Sequence, residues 1–171
     1  ESVEQFLEQV ARRGSWIGGG SVAALSAALA AALLEKLTLR RGAGRRLRAV
    51  RARCLPLIEQ DARLFARVIE ATRRDHRPAF SRALKMATDL PCRVFEEAQA
   101  IQAACREAQR CVKPNFLPDL RCAMVLAMAA SESARALILT NLAWLNDPAY
   151  ARQIRRRLQS AANSHGRSRR R

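Results

Sequence analysis

Three consecutive glycines and a serine, Gly18-Gly19-Gly20-Ser21, lead directly into an uncharged, alanine-rich run that extends to Leu34. Alanine and leucine are strong helix formers, and serine is a preferred N-cap, so the run predicts a helix that begins at Ser21. Glycine permits a sharp turn that exposes backbone N–H groups, and a helix N-terminus attracts carboxylates and phosphates. The segment therefore predicts either an anion site or a tight connection between closely packed helices.

The rest of the chain also favours helices. Its 171 residues are 49% hydrophobic but only 5% aromatic, and apolar residues recur at helical spacing with no convincing strand pattern. The predicted helices cover residues 2–13, 21–39, 45–72, 78–87, 91–112, 119–146 and 148–162. We therefore expect an all-α bundle of long, mostly antiparallel helices, with two very apolar helices, 21–39 and 123–145, at its centre. A single domain would span residues 1–165, followed by a basic, disordered tail at 166–171.

The formal net charge is +16, and only three of the 31 basic residues are lysines. This excess indicates either attraction of polyanions or an arginine-rich genomic composition. Nucleic acid is an improbable partner, because no DNA- or RNA-binding motif accompanies the charge and one tyrosine is present for base stacking.

Five cysteines without a CxxC pair predict free thiols, as in a reducing cytoplasm, and two histidines make a zinc site improbable. Residues 14–34 carry no charge and are long enough to cross a membrane. Because the segment is mostly glycine and alanine, we expect a helix buried inside the protein and not one that crosses a membrane. The acidic N-terminus is unlike a secretory signal.

Three polar residues interrupt apolar segments. Asp61 lies in the middle of a predicted helix, where it is either an exposed partner of a nearby arginine or a functional carboxylate. Asp119 follows Pro118 at a predicted helix start, so helix capping alone would explain it. Asn141 lies in an apolar helix, where its amide either ties helices together or faces a ligand.

The segment from Gly18 to Leu25 resembles the opening of the cyclodeaminase/cyclohydrolase family, which comprises the C-terminal half of formiminotransferase-cyclodeaminase and the stand-alone methenyltetrahydrofolate cyclohydrolases. The resemblance extends from Val3 to about Asp147. It continues at Ala28-Leu29, Ala32-Leu33, Leu37-Thr38, Leu57-Ile58, Asp61, Phe65, Val68, Ala71, Arg82, Ala87, Pro91, Asn115, Asp119-Leu120, Ala123 and Asn141-Leu142.

The resemblance implies a helical homodimer that acts on tetrahydrofolate derivatives, some with polyglutamate tails, and needs no metal or other cofactor. The reaction would be either closure of 5-formiminotetrahydrofolate to the 5,10-methenyl form with loss of ammonia, or hydrolysis of the methenyl form. It further implies catalytic roles for Asp61 and Asp119. Substrate binding falls to Asn141 and to the glycine turn, Gly18, Gly19, Gly20 and Ser21, whose amides would hold a glutamate carboxylate.

Three departures from the family pattern leave other functions open. Trp16-Ile17 replaces an expected proline, and Phe116-Leu117-Pro118 is bulkier than the usual lead-in to the aspartate. A lysine-containing stretch is replaced by residues 72–78, whose arginines do not deprotonate and therefore cannot replace a catalytic lysine. The alternatives are a non-catalytic relative that binds folate or acts as a dimeric interaction module, and, less probably, a basic nucleic-acid-binding protein.

Overall fold

The structure is a computed structural model, and it describes residues 2–38 and 43–166. Six α-helices and one 3₁₀ turn account for most of these residues, which contain no strand, so the all-α prediction is confirmed. The elements are α1 (Val3–Ala11), α2 (Gly19–Thr38), α3 (Ala43–Arg73), α4 (Arg77–Ala108), the 3₁₀ turn Pro114–Phe116, α5 (Leu117–Leu145) and α6 (Pro148–Gly166).

Helices α2, α3, α4 and α5 form an antiparallel four-helix bundle. Each packs against the next along the chain, and α5 returns to pack against α2. The ion pairs at the end of α2 show its direction, because Glu35 binds Arg48 near the start of α3 and Lys36 reaches Asp119 near the start of α5. Helix α6 packs on the outside of α4, where Arg157 binds Glu96 and Asp89.

Helix α2 is central, as its composition predicts. It contacts α3, α4 and α5, and the side chains that face them are almost entirely buried. Most of these are alanines, namely Ala23, Ala24, Ala27, Ala28, Ala30 and Ala31. These small side chains let the neighbouring helices approach α2 closely.

Only one face of α5 lies in the centre of the bundle. The prediction that the apolar helix 123–145 is central therefore holds for that face. Ala123, Ala127 and Ile138 are fully buried, whereas Val125 and Leu139 on the opposite face are 62% and 45% exposed.

Both α2 and the segment Pro114–Leu145 are long and apolar enough to cross a membrane by length and composition. In the most apolar 18-residue window of α2, 56% is buried in the bundle. That burial is typical of the core helix of a bundle, whereas only 33% of the α5 window is buried.

The predicted break at residues 89–91 is wrong, because α4 runs unbroken from Arg77 to Ala108 with Pro91 inside it. Proline removes one backbone hydrogen bond. The flanking residues Leu90, Cys92 and Val94 are all buried, and this packing holds the helix together across the missing bond.

The other predicted helix ends differ by a few residues. Helix α2 begins at Gly19 rather than Ser21, and α1 ends at Ala11 rather than at residue 13. Helix α6 continues past Ala162 to Gly166. The predicted end of α2 at Leu39 and the remainder of the tail, 167–171, lie outside the described residues.

Candidate active site

A cavity of about 200 Å³ lies at the N-terminal end of α2. Its walls come from the connection before α2, the middle of α3 and α4, and the C-terminal end of α5. Five of the residues singled out in the sequence line it: Gly18, Gly19, Gly20, Asp61 and Asn141. The fold thus brings together residues that lie more than a hundred positions apart in the chain.

Asp61 lies against the first turn of α2. Its Oδ2 accepts a hydrogen bond from the backbone N–H of Ser21 at 2.8 Å and another from the Ser21 hydroxyl at 3.1 Å. The same hydroxyl lies 2.8 Å from the carbonyl oxygen of Ile58, one turn before Asp61. Asp61 therefore caps a helix that begins 42 residues earlier, and at least one amide expected to hold a substrate carboxylate already binds this side chain.

Gly20 is required for this contact. A Cβ placed on Gly20 would lie 2.0 Å from Oδ1 of Asp61, far inside van der Waals contact. A Cβ on Gly19 would make only an ordinary contact with Leu137, and one on Gly18 would meet nothing within 4 Å. Neither Gly18, Gly19 nor Gly20 has a positive φ, so close approach, rather than a left-handed turn, explains the glycine at position 20.

Within residues 2–38 and 43–166, the Asp61 carboxyl group has no cationic partner. Burial raises its pKa, and the two hydrogen bonds from Ser21 only partly oppose that shift. No protein donor in the described part of the chain reaches Oδ1, which remains open to the cavity. A half-buried carboxyl group with a raised pKa in a largely apolar cavity is suited to proton transfer and to stabilising a cation.

Asn141 and Thr140 supply the polar groups on the opposite wall. The Thr140 hydroxyl donates to the carbonyl of Ala136, whereas the Asn141 amide has no hydrogen-bond partner within residues 2–38 and 43–166. Asn141 does not tie helices together in that part of the chain, so its amide is available to a ligand.

Three aromatic residues of the site were not predicted from the sequence. Both tryptophans of the chain, Trp16 and Trp144, line the cavity together with Phe65. Trp16 and Phe65 meet edge to face, with their ring centroids 6.2 Å apart. Aromatic residues are scarce in this chain. The sequence could have indicated two of them, because Trp16 precedes the glycine turn and Trp144 follows Asn141 by three residues.

The structure does not bring Asp119 into this site. Its carboxylate pairs with Lys36 at 3.5 Å, and both side chains are substantially exposed. Since 22 residues of continuous helix separate it from Asn141, the two lie about 33 Å apart at 1.5 Å per residue. Residues 72–78, at the connection from α3 to α4, also do not line the cavity.

The comparisons with known proteins show the family of the chain. The formiminotransferase-cyclodeaminase family model matches residues 2–160, so the chain belongs to that family. The chain is 29% identical to rat formimidoyltransferase-cyclodeaminase over 93% of its own length, and 28% identical to the pig protein over 91%. It spans about a third of the length of these relatives.

A solved structure has the same fold. The formiminotetrahydrofolate cyclodeaminase of Thermotoga maritima superposes with a TM-score of 0.88, covering 97% of this chain and 90% of the other. Sequence identity is 20%, so the likeness is one of fold.

The glycine contacts predict opposite effects of two adjacent substitutions. Gly20→Ala forces the Asp61 carboxylate away from Ser21, and we expect the free energy of unfolding to fall by about 1–3 kcal/mol. Gly19→Ala meets no such obstacle, and replacing a helical glycine with alanine stabilises by about 0.5–1 kcal/mol. Urea unfolding of both variants measures the difference. Equal effects of the two changes would contradict the close-approach explanation.

The raised pKa of Asp61 predicts a pH-dependent stability difference. A carboxyl group with a pKa raised in the fold stabilises the folded state fully below its ordinary value of 3.8, and that contribution is lost as the pH rises through the folded-state pKa. Asp61→Asn does not titrate there. The melting temperature of the parent minus that of Asp61→Asn should therefore be greater at about pH 4 than at about pH 7. A difference that shrinks on acidification would show that the pKa of Asp61 is lowered.

Proposed function

We propose that this chain is a cyclodeaminase that closes 5-formiminotetrahydrofolate to 5,10-methenyltetrahydrofolate and releases ammonia. The single observation that carries the proposal is the half-buried Asp61 carboxyl group in a cavity that has no lysine or arginine among its described lining residues. A buried carboxylate without a cationic partner is costly even when it accepts hydrogen bonds, and a cationic ligand reduces that cost. The formimino carbon is part of an amidinium group, which is such a ligand.

The proposed chemistry needs one proton shuttle. The substrate's N10 attacks the amidinium carbon, forming the N10–C bond, and Asp61 takes the proton that N10 loses. The protonated Asp61 then gives this proton to the amino group. The carbon–nitrogen bond to that group breaks, ammonia leaves and the positive charge stays on the methenyl product. A carboxyl group with a raised pKa suits both steps better than an ordinary aspartate.

The cavity would hold only the ring system of the substrate. Its volume of about 200 Å³ is smaller than the about 300–1,000 Å³ typical of sites that enclose a whole ligand. Trp16, Phe65 and Trp144 offer apolar surfaces to a flat ring, and Asn141 offers an amide for its polar edge. The benzoylglutamate tail would then extend into solvent.

The charge distribution fits a substrate that is cationic at the reacting carbon and anionic in its tail. Among the residues that the structure describes, no lysine or arginine lines the cavity, although the chain has a net charge of +16. The positive exterior would attract a glutamate or polyglutamate tail, while the carboxyl group inside would receive the cationic carbon.

The cysteines are in keeping with the reducing cytoplasm in which we propose that the protein acts. All five are free, and burial raises the pKa of Cys54, Cys92 and Cys105 to about 12, so these three are unreactive thiols.

A homodimer is part of the proposal. The outer face of α5 exposes small and apolar residues at alternating three- and four-residue spacing, with Glu132 as its charged member, and this row is the α5 seam: Cys122, Val125, Ala129, Glu132, Ala136, Leu139 and Ala143. Leu29 of the adjacent α2 is also 50% exposed. Such spacing is the pattern of a helix that packs against another helix, so a second copy of the chain would cover the face.

Asp61→Asn tests the chemical role. The amide is nearly the same size and can still accept from Ser21, so the fold should persist while kcat falls by about 10²–10⁴-fold. Asp119→Asn is the matched control, since Asp119 pairs with Lys36 far from the cavity, and its kcat should stay near that of the parent. Release of ammonia and formation of the methenyl chromophore are measured together. A near-parental kcat for Asp61→Asn would remove Asp61 from the mechanism.

The same assay separates the alternatives. A cyclohydrolase consumes the methenyl chromophore and releases no ammonia. A non-catalytic relative binds the folate without either change, and the altered stretch at residues 72–78 is the sequence feature that favours it.

The α5 seam predicts the oligomeric state. Light scattering of the parent at micromolar concentration should give twice the chain mass of 19.0 kDa. Val125→Arg places a charge in the middle of the seam and should yield monomers, whereas Leu55→Arg, on an exposed part of α3, should leave the dimer intact. A monomeric parent, or a Val125→Arg protein that remains dimeric, would contradict the proposed interface.

A further inference from the structure

One wall of the cavity contains a proline in the middle of a helix. Leu84, Ala87 and Pro91 of α4 follow one another along a single face of the helix, and all three line the cavity. Pro91 is buried and Ala87 is half-buried. In a regular α-helix the carbonyl of residue 87 accepts from the N–H of residue 91, and proline has no N–H.

The carbonyl of Ala87 therefore lacks the N–H donor that a regular helix would supply, on the face of α4 that lines the cavity. The proline ring also crowds this carbonyl, on the side of α4 that lines the cavity. The adjacent hydroxyl of Thr88 does not replace the donor, because it donates to the carbonyl of Leu84 at 2.7 Å.

We infer that the Ala87 carbonyl accepts a hydrogen bond from an N–H group of the bound ring, and that Pro91 is a positioning residue that keeps this carbonyl available. The inference rests on the proposed function for the identity of the ring, since the pteridine of a tetrahydrofolate carries amino and ring N–H donors along one edge. A carbonyl on a rigid helix accepts without reorganisation and selects a donor over an acceptor at that position. Asn141, on the neighbouring helix α5, then has the remaining polar edge of the ring to bind.

Pro91→Ala tests the inference because alanine restores the N–H and satisfies the carbonyl within the helix. We expect affinity for 5-formyltetrahydrofolate, measured by calorimetric titration, to fall by about 3- to 30-fold, the effect of losing one hydrogen bond in a partly buried site. Pro56→Ala is the matched control. Pro56 is also inside a helix, α3, but it is exposed and does not line the cavity, so this variant should bind as the parent does.

A second readout separates the hydrogen bond from simple loss of the proline ring. In protein labelled with ¹³C at the alanine carbonyls, the Ala87 resonance should move downfield on saturation with 5-formyltetrahydrofolate in the parent and in Pro56→Ala. In Pro91→Ala it should already lie downfield and stay there. A parent that binds the ligand with no shift of Ala87, or a Pro91→Ala protein of parental affinity, would overturn the inference alone. A parent that binds none of the folate would instead overturn the proposed function.

Discussion

The contact between Asp61 and the first turn of α2 is the interaction on which the site depends. It joins two helices through residues 40 positions apart and fixes their register, because Ser21 binds both Asp61 and the carbonyl of Ile58. It requires glycine at position 20, and it moves a carboxyl group out of water. The helix N-terminus offsets part of that desolvation, which leaves the side chain held in place with a raised pKa.

The sequence predicted the helical fold and five of the residues that line the cavity, and both predictions started from local patterns. The alanine-rich composition of α2 was sufficient to predict a core helix, and Asp61 and Asn141 stood out as polar residues in apolar segments. The structure adds a contact of the glycine turn that the sequence did not predict. Its N–H groups were expected to bind a ligand, whereas the Ser21 amide binds a carboxylate that no local pattern connects with it.

Two further differences between the sequence-based predictions and the structure also arise from long-range structure. A proline at position 91 is locally a helix breaker, but buried neighbours on both sides keep α4 continuous. The family resemblance implied a catalytic role for Asp119 beside Asp61, although helix capping alone would explain Asp119. Only the length of α5, which places Asp119 and Asn141 near opposite ends of one helix, reveals their separation. Sequence patterns identify unusual residues, whereas the fold determines which of them meet.

The positions of the two tryptophans give the protein an optical property of its own. Trp16 and Trp144 stand on the cavity wall, from the connection before α2 and the end of α5, and the chain has no others. The single tyrosine, Tyr150, lies elsewhere, on α6 beside Lys85. Nearly all of the intrinsic fluorescence of each chain therefore originates at the cavity. Both rings are also about half exposed, at 44% and 56%, so their emission reports contact with a ligand in the cavity against a background of solvent, without an attached dye.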